Sequence, residues 1–201
     1  MKVLKATAKN ILVASKVVRE GGLVIYPTDT VYGLGCDPFN INAVRKVFQV
    51  KGKRKKPLPV LASEIKFVNR IAVLSEKARE IASRFWPGQL TLVVPKRTEL
   101  PDIVTCGLDS VGVRIPAHEV AIQLIDLSGG LLIGTSANKT GEKPPRSVEE
   151  AVQQLGEDVD IILDGGTTTI GIPSTIIDLT MEKPKVIREG AIKVEEILRG
   201  L

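Results

Sequence analysis

Residues 26–37 read Tyr-Pro-Thr-Asp-Thr-Val-Tyr-Gly-Leu-Gly-Cys-Asp, directly after a short apolar run, Leu23 to Ile25, that is typical of a buried strand. A segment that only turns the chain needs one glycine or proline with a polar neighbour. This one carries three hydroxyl side chains at a spacing of two, which an extended segment would aim at one face. They are Thr28, Thr30 and Tyr32. Gly33 and Gly35 would let a ligand or a second backbone come close. The segment predicts either a ligand site or a polar strand end with a tight turn.

The composition is that of an ordinary soluble globular protein. Of 201 residues, 43% are hydrophobic and 25% are charged, while aromatic residues make up only 3%, so the core is predicted to be aliphatic. The two cysteines, Cys36 and Cys106, form no CxxC pair. This argues against a disulfide framework and a structural zinc site, and it predicts a reducing, cytoplasmic location.

The chain shows no sign of a membrane or secretion segment. No apolar run approaches the length of a membrane span, and the N-terminus lacks the apolar region of a secretion signal. The net charge of +5 favours an anionic partner, which could be a nucleotide, an RNA or a smaller anion.

Helical and strand patterns interleave along the whole chain, which indicates the α/β class. The predicted helices are 9–20, 40–50, two that open at Ser63 and Ser75, 118–127, 147–155 and 194–198. The predicted strands are 23–25, 90–94, 111–115, 131–133, 161–163, 175–179 and 185–188. Because the late strands follow one another without helices between them, we expect a twisted, open, mixed sheet flanked by helices, in one domain over residues 1–201.

A basic run follows the second predicted helix: Lys51-Gly52-Lys53-Arg54-Lys55-Lys56, before Pro57-Leu58-Pro59. Charge runs are usually solvated loops. A glycine inside a basic run at a helix end also suits wrapping around phosphates, with lysine as a point charge and arginine as a fork. The spacing is not that of a Walker loop.

Arg114 lies inside an otherwise apolar strand pattern, Val111 to Ile115. An arginine on the buried side of such a strand needs an anionic partner. The partner could be a core carboxylate, or it could be a substrate carboxylate held by both arms of the guanidinium.

Two further segments carry small polar side chains. Gly134-Thr135-Ser136-Ala137-Asn138-Lys139-Thr140-Gly141 follows the strand 131–133, and it is either a ligand site at a strand end of an open α/β sheet or a plain turn. In Gly171-Ile172-Pro173-Ser174-Thr175-Ile176-Ile177-Asp178, Ser174 and Thr175 stand at a strand start, and Arg188 is a cation within a later β-like run. The only histidine, His118, is predicted to be a surface or capping residue. A Ser-His-Asp triad or a conventional zinc site is therefore hard to assemble.

Six motifs in order resemble the YrdC/TsaC-like threonylcarbamoyl-AMP synthases, across nearly the whole chain from Val24 to Gly190. They are Thr28 to Gly35, the basic run before Pro57-Leu58, Val113-Arg114-Ile115-Pro116, Ser136-Ala137-Asn138, Ser174-Thr175-Ile176 and Arg188-Glu189-Gly190. The chain looks like the short, single-domain type of this family. Leu61 stands where many members have a histidine.

The resemblance implies a nucleotidyltransferase with a YrdC-like fold. It would condense L-threonine, bicarbonate and ATP into threonylcarbamoyl-AMP and pyrophosphate, with Mg²⁺ brought in by ATP and with no metal ligand and no covalent nucleophile from the protein. A threonylcarbamoyl transferase complex would then use the product to modify the adenosine beside the anticodon in tRNA. No membrane partner is implied.

The resemblance also implies two sets of contacts. The predicted threonine contacts are Thr30, Arg114, Ser136 and Ser174. The predicted nucleotide contacts are Lys51, Lys53, Arg54, Lys56, Ser110, Asn138, Ser147 and Arg188. Either Lys53 or Arg54 takes the place of the family's arginine.

Two other functions stay open. One is a non-catalytic RNA-binding module of the same fold, which the basic run favours and the shortage of aromatic side chains disfavours. The other is a paralogous nucleotide-dependent carbamoylating enzyme, since a fold alone does not fix a reaction.

Overall fold

The structure, a computed structural model, describes residues 1–52 and 56–199. In chain order its strands are β1 (Lys2–Lys5), β2 (Val24–Tyr26), β3 (Gly33–Gly35), β4 (Val60–Ala62), β5 (Leu90–Pro95), β6 (Ser110–Arg114), β7 (Leu131–Ile133), β8 (Thr135–Ser136), β9 (Ile161–Asp164), β10 (Thr175–Asp178) and β11 (Lys185–Arg188). The helices are α1 (Ala8–Arg19), α2 (Ile41–Lys51), α3 (Ile65–Ile71), α4 (Glu76–Phe85), α5 (Asp102–Thr105), α6 (Glu119–Leu127), α7 (Val148–Leu155) and α8 (Val194–Leu198).

The strands form two mixed sheets, so the predicted mixed pairing is confirmed, but the strands divide between two sheets. The five-stranded sheet has the order β1-β9-β2-β3-β8, and the six-stranded sheet has the order β11-β10-β5-β6-β4-β7. The chain passes from one sheet to the other at Gly134, between β7 and β8. The sheets also touch where the Ile133 amide donates to the Cys36 carbonyl at 2.9 Å.

Gly35 allows this contact between the sheets. A Cβ atom at Gly35 would lie 2.7 Å from the Ile133 carbonyl oxygen, so any side chain there would push the two backbones apart. Of the two roles that the sequence left open for this glycine, the structure shows close approach of a second backbone.

Side-chain caps start several helices where the sequence predicted them. The Asn40 carboxamide accepts from the Ala43 amide at 3.0 Å, and the Ser75 hydroxyl accepts from the Ala78 amide at 3.2 Å. The prediction that Ser63 opens a helix is wrong. Helix α3 begins at Ile65, and the Ser63 hydroxyl bonds the Asp126 carboxylate at 3.1 Å instead.

The core is aliphatic, as predicted. A larger cluster joins the inner faces of both sheets to helices α2, α3, α4 and α7. A smaller cluster lies between α1, α6 and the sheets and includes Val18, Leu124 and Leu132. Fully burying one such aliphatic side chain contributes roughly 1.5–3 kcal/mol, so the two clusters dominate the stability of the fold. No helix among the described residues is long and apolar enough to cross a membrane.

Candidate functional site

A cavity of about 580 Å³ lies on one face of the six-stranded sheet. Successive side chains of a strand point to opposite faces, and three strands of this sheet follow the rule closely. The side chains that line the cavity are Thr91 and Val93 of β5, Ser110 and Arg114 of β6, and Ile176 and Asp178 of β10, with Gly112 between the two from β6. The alternate residues, among them Leu92, Val113 and Ile177, belong to the larger core cluster. One face of these strands therefore forms the floor of the cavity, and the opposite face packs against the core.

Arg114 is the buried cation of this floor. Its Nη2 donates to Asp29 Oδ1 at 2.5 Å, its Nη1 to the Thr30 hydroxyl at 3.1 Å and its Nε to the Gly88 carbonyl at 2.8 Å. These bonds use three of the five N–H groups of a guanidinium. Burial lowers the pKa of Arg114, and the Asp29 carboxylate opposes that shift. Of the two roles left open by the sequence, the structure shows the pairing of Arg114 with a core carboxylate. Arg114 also lines the cavity, and its contact with a substrate carboxylate stays a prediction.

Asp29 is the functional residue that the sequence reasoning missed. It is buried, and its second oxygen accepts from Gln89 Nε2 at 2.8 Å. The signal that could have found it was the need of a buried arginine for an anion, together with a carboxylate between two threonines in the most unusual segment of the chain. Gln89 and Asp29 together fix the direction of the guanidinium.

The segment after β2 is a turn, so it does not aim the three hydroxyls at one face in the way that an extended segment would. The Thr28 hydroxyl accepts from the amides of Thr30 and Val31 and donates to the Val31 carbonyl at 2.7 Å, which closes the backbone on itself. The Thr28 and Thr30 hydroxyls are 2.9 Å apart. Both threonines line the cavity, so the turn still delivers hydroxyl groups to it.

Tyr32 also lines the cavity, but its hydroxyl is already engaged. The hydroxyl donates to the Gly166 carbonyl at 2.6 Å and accepts from the Gly165 amide at 3.2 Å. Burial raises the pKa of Tyr32 to about 12, so the phenol stays protonated at neutral pH and is unsuited to act as a base.

A second cluster of polar side chains lies around Ser174 at the start of β10. Its hydroxyl lies 2.8 Å from the Thr91 hydroxyl, and Arg188 donates to its backbone carbonyl from Nε and Nη2 at 3.0 and 2.8 Å. The strand register explains why Thr91 and Arg188 both lie near Ser174, because Ile176 pairs with Arg188 on one side and with Thr91 on the other.

The structure brings most of the predicted site residues to this one cavity. Those that line it are Thr30, Lys56, Ser110, Arg114, Ser136, Ser174 and Arg188. Lys53 and Arg54 lie outside the described residues. Lys51, Asn138 and Ser147 are not among the described lining residues.

Lys51 is buried beside the cavity instead of facing it. Its ammonium donates to the carbonyls of Ser136 and Asn138 at 2.6 and 2.7 Å. The Asn138 amide nitrogen in turn donates to the carbonyls of Lys139 and Glu142, both at 2.8 Å. The lysine and the asparagine thus fix the backbone of the segment that presents Ser136. Their direct contact with a nucleotide stays a prediction.

Ser147 caps helix α7, where its hydroxyl accepts from the Glu150 amide at 3.4 Å. The capping-box spacing predicted this role. Its predicted nucleotide contact stays untested.

The described residues contain no group of three or more His, Cys, Asp or Glu side chains that could hold a metal ion. His118 precedes α6, and burial lowers its pKa. Cys36 is buried, which raises the pKa of its thiol. The chemistry that this cavity suits is the binding and alignment of anionic and hydroxyl-bearing substrates by fixed donors.

Comparison with known proteins gives one consistent family. Residues 16–190 match the family model Sua5/YciO/YrdC, described as "Telomere recombination". The chain is 42% identical over 189 residues to the threonylcarbamoyl-AMP synthase of Pyrococcus abyssi, a match that covers 93% of this chain and 56% of that protein. It is 38% identical over 187 residues to the threonylcarbamoyl-AMP synthase of Bacillus subtilis, which covers 92% of this chain and 54% of that protein.

A solved structure agrees with these relatives. The crystal structure of P. abyssi Sua5 complexed with L-threonine superposes with a TM-score of 0.95 and 38% identity, over 99% of this chain and 61% of that one. The chain spans a little over half the length of these two curated relatives.

Proposed function

The chain belongs to the Sua5/YciO/YrdC family, and from this premise we propose that it is a threonylcarbamoyl-AMP synthase. The names of its relatives and the L-threonine complex of P. abyssi Sua5 support the proposal. The single observation that carries it is that Arg114 and the cations Lys56 and Arg188 line the same cavity. One protein surface thus offers a place for an amino-acid carboxylate and a place for phosphates.

The amino-acid end would be built around Arg114. Asp29 and Gln89 hold the guanidinium, and two of its N–H groups have no partner among the described residues, so they are available to a carboxylate. The hydroxyls of Thr30 and Ser174 lie in fixed hydrogen-bond networks and would bind the remaining polar groups of L-threonine. Ser136 lines the same cavity.

The nucleotide end would lie toward Ser110, Lys56 and Arg188, with Lys53 and Arg54 as further predicted contacts. Mg²⁺ would arrive on the triphosphate and would neutralise part of its charge. The phosphates and water would supply its oxygen ligands, which suits a chain whose described residues contain no carboxylate cluster for a metal.

The reaction needs alignment more than a reactive side chain. Bicarbonate takes up a proton and loses water to give carbon dioxide. The threonine amine bonds to the carbon of carbon dioxide and releases a proton, so a carbamate forms with no net gain or loss of protons. A carbamate oxygen then forms a bond to the α-phosphorus, and the bond from that phosphorus to the bridging oxygen breaks as pyrophosphate leaves. Holding two reactants in line supplies effective molarities of roughly 10⁵ M or more, so no covalent nucleophile is required.

The product would pass to a transferase complex that modifies tRNA in the cytoplasm. The proposed transfer to the adenosine beside the anticodon rests on the proposed synthase activity. No contact among the described residues supports it independently. The class of the enzyme would be nucleotidyltransferase.

Pyrophosphate release from ATP tests the proposal. We expect release only when L-threonine and bicarbonate are both present, because the carbamate is the nucleophile. Release that ignores threonine would point to another substrate. Salt-sensitive tRNA binding without any turnover of ATP would instead favour an RNA-binding module.

A further inference from the structure

Strand β11 brings Arg188 to the cavity, although the strand itself is weakly held. All four of its residues are exposed, and at the edge of the described six-stranded sheet its one neighbour is β10. The pairing is irregular, because Ile176 pairs with Arg188 but Ile177 pairs with Val186, which leaves Ile187 as an extra residue. Such a bulge re-aims side chains, and here the consecutive residues Ile187 and Arg188 both line the cavity. Strand pairing alone therefore specifies the position of Arg188 only weakly.

The Thr175 hydroxyl holds the segment that directly follows β11. Thr175 is fully buried at the start of β10. Its Oγ1 accepts from the amides of Gly190 and Ile192 at 2.9 and 3.2 Å, and it donates to the Ile192 carbonyl at 2.5 Å. The hydroxyl thus uses one donor and two acceptor positions, which is its full capacity. All three bonds go to backbone groups within four residues of Arg188.

The same segment lies close against the backbone that precedes Thr175. The Ala191 amide donates to the Pro173 carbonyl at 3.0 Å. A Cβ atom at Gly190 would lie 2.2 Å from the Pro173 carbonyl oxygen and 2.6 Å from the Ser174 carbonyl oxygen, so a side chain there would push the two segments apart. The end of β11 is therefore fixed to the start of β10 by backbone contacts that the Thr175 hydroxyl completes.

Strand β10 does not need this hydroxyl for its own position. All four of its residues pair in parallel with β5, and the Thr175 amide donates to the Gln89 carbonyl at 3.0 Å. The Ser174 hydroxyl lies 2.8 Å from the Thr91 hydroxyl, which also belongs to β5. Loss of the Thr175 hydroxyl would therefore release the segment after β11 and leave Ser174 in place.

Resting on the proposed function, we infer that Thr175 is a positioning residue that holds Arg188 for the nucleotide. Thr175 is not among the described residues that line the cavity, so it acts through the segment 190–192. Its hydroxyl fixes the end of the β11 bulge with Arg188 directed into the cavity. An arginine that is already oriented loses less conformational entropy when its ligand binds, so the nucleotide binds more tightly.

Thr175→Val tests this role, because valine keeps the shape of the side chain and removes the hydroxyl. In direct binding titrations we expect the ATP affinity to fall about fivefold or more, and the L-threonine affinity to change less than about twofold, since β5 still holds Ser174. Thr175→Ser keeps the hydroxyl and should restore ATP binding. The matched control is Thr105→Val, which removes a buried hydroxyl that bonds within helix α5, away from the described cavity lining. It should leave both affinities unchanged.

Arg188→Ala distinguishes a role through Arg188 from a general structural role. The single variant should bind ATP more weakly, because it removes the cation that Thr175 holds in place. Adding Thr175→Val to Arg188→Ala should cause no further loss of ATP affinity, since two residues that act through one contact are not additive.

Gly190→Ala guards against a Thr175→Val protein that fails to fold. It leaves the hydroxyl intact and forces the segment after β11 away from the Pro173 carbonyl, so ATP affinity should again fall. Hydrogen exchange tests the contact without any ligand. The amides of Gly190 and Ile192 should exchange faster in Thr175→Val than in the unmodified chain, and unchanged exchange would count against the inference.

Three binding results would overturn the inference. They are Thr175→Val and Gly190→Ala proteins that bind ATP like the unmodified chain, an equal loss of ATP and L-threonine affinity, or a full further loss when Thr175→Val is added to Arg188→Ala. If the unmodified chain binds no ATP, the proposed function fails and the role of Thr175 fails with it. If it binds ATP and only the variants behave otherwise, the role of Thr175 alone is wrong.

Discussion

Arg114 keeps its charge inside the protein because Asp29 lies against it. The two side chains are 6% and 7% exposed and their charged atoms are 2.5 Å apart. Leaving one partner of such a pair alone in the interior costs about 3–5 kcal/mol, so Asp29 is required by the fold as well as by the site. The carboxylate also fixes which N–H groups of the guanidinium face the cavity.

Arg114→Lys tests the amino-acid end of the cavity. Lysine keeps the positive charge beside Asp29 but cannot donate to a carboxylate through a planar fork. We expect KM for L-threonine to rise about tenfold or more, while the dissociation constant of ATP changes less than about twofold. Steady-state kinetics and ATP titration would measure both. Equal losses for the two substrates would remove the role that we assign to Arg114.

Among single residues, those that line the cavity were easier to predict from the sequence than the residues that hold them in place. Arg114 stood out because a cation in an apolar strand needs an anion, and the structure supplies Asp29. The burial of Lys51 could not be predicted, since a basic run is typical of solvent. Its two carbonyl partners, at Ser136 and Asn138, come from a segment 85 and more residues away along the chain.

Four of the helices begin at a side-chain cap. Thr7, Asn40, Ser75 and Ser147 each accept an amide hydrogen from the first turn of α1, α2, α4 and α7. Helix α2 leads directly from its cap to Lys51, which is buried at the helix end. Because the cap fixes where α2 begins, it also fixes the position of Lys51, which holds the segment that contains Ser136.

Asn40→Ala tests the contribution of one cap. The Ala43 amide would lose its acceptor, and we expect the free energy of unfolding to fall by about 1 kcal/mol in urea denaturation. Asn42→Ala is the matched control, because Asn42 is exposed on the first turn and, among the described residues, its side chain accepts only from the Arg45 side chain. The control should change stability by less than about 0.5 kcal/mol. A larger loss from Asn42→Ala than from Asn40→Ala would contradict the assigned cap.

Apolar runs predicted strands as short as β2 and β7, but the sequence pattern did not predict β1, β3, β4 or β8. β3 is Gly-Leu-Gly, a sequence with low strand propensity that becomes a strand because β2 and β8 pair with it on either side. Pairing with neighbouring strands, and not the local sequence pattern, determines these short strands.

Among the side chains of the whole molecule, only that of His118 has an ordinary pKa between 5 and 8. It is half-buried, and desolvation lowers its pKa, against the opposing effect of Asp29 and Glu119. In the unfolded chain the ring would titrate near its ordinary value, so as the pH falls the unfolded state takes up the proton first. Stability is therefore complete above the ordinary histidine pKa and decreases as the pH drops below it.

Urea denaturation between pH 7.5 and 5.5 would measure this dependence. We expect the free energy of unfolding to be lower at pH 5.5, and we expect His118→Gln to flatten the profile. A chain whose stability is the same at both pH values, or a variant that keeps the slope, would show that the His118 ring is not responsible. The carboxylates whose pKa is lowered, such as Asp164 and Glu189, lose their contribution only in more acidic solution.

The alternation of β5, β6 and β10 between cavity and core limits how this protein can change. Insertion or deletion of a single residue in any of the three would exchange the two faces, turning Leu92 or Val113 toward the cavity and Thr91 or Arg114 toward the apolar core. Variation in these strands is thus confined to substitution at constant length. New substrate preferences would have to arise by replacing single side chains such as Val93, or in the connecting loops, where length is free to vary.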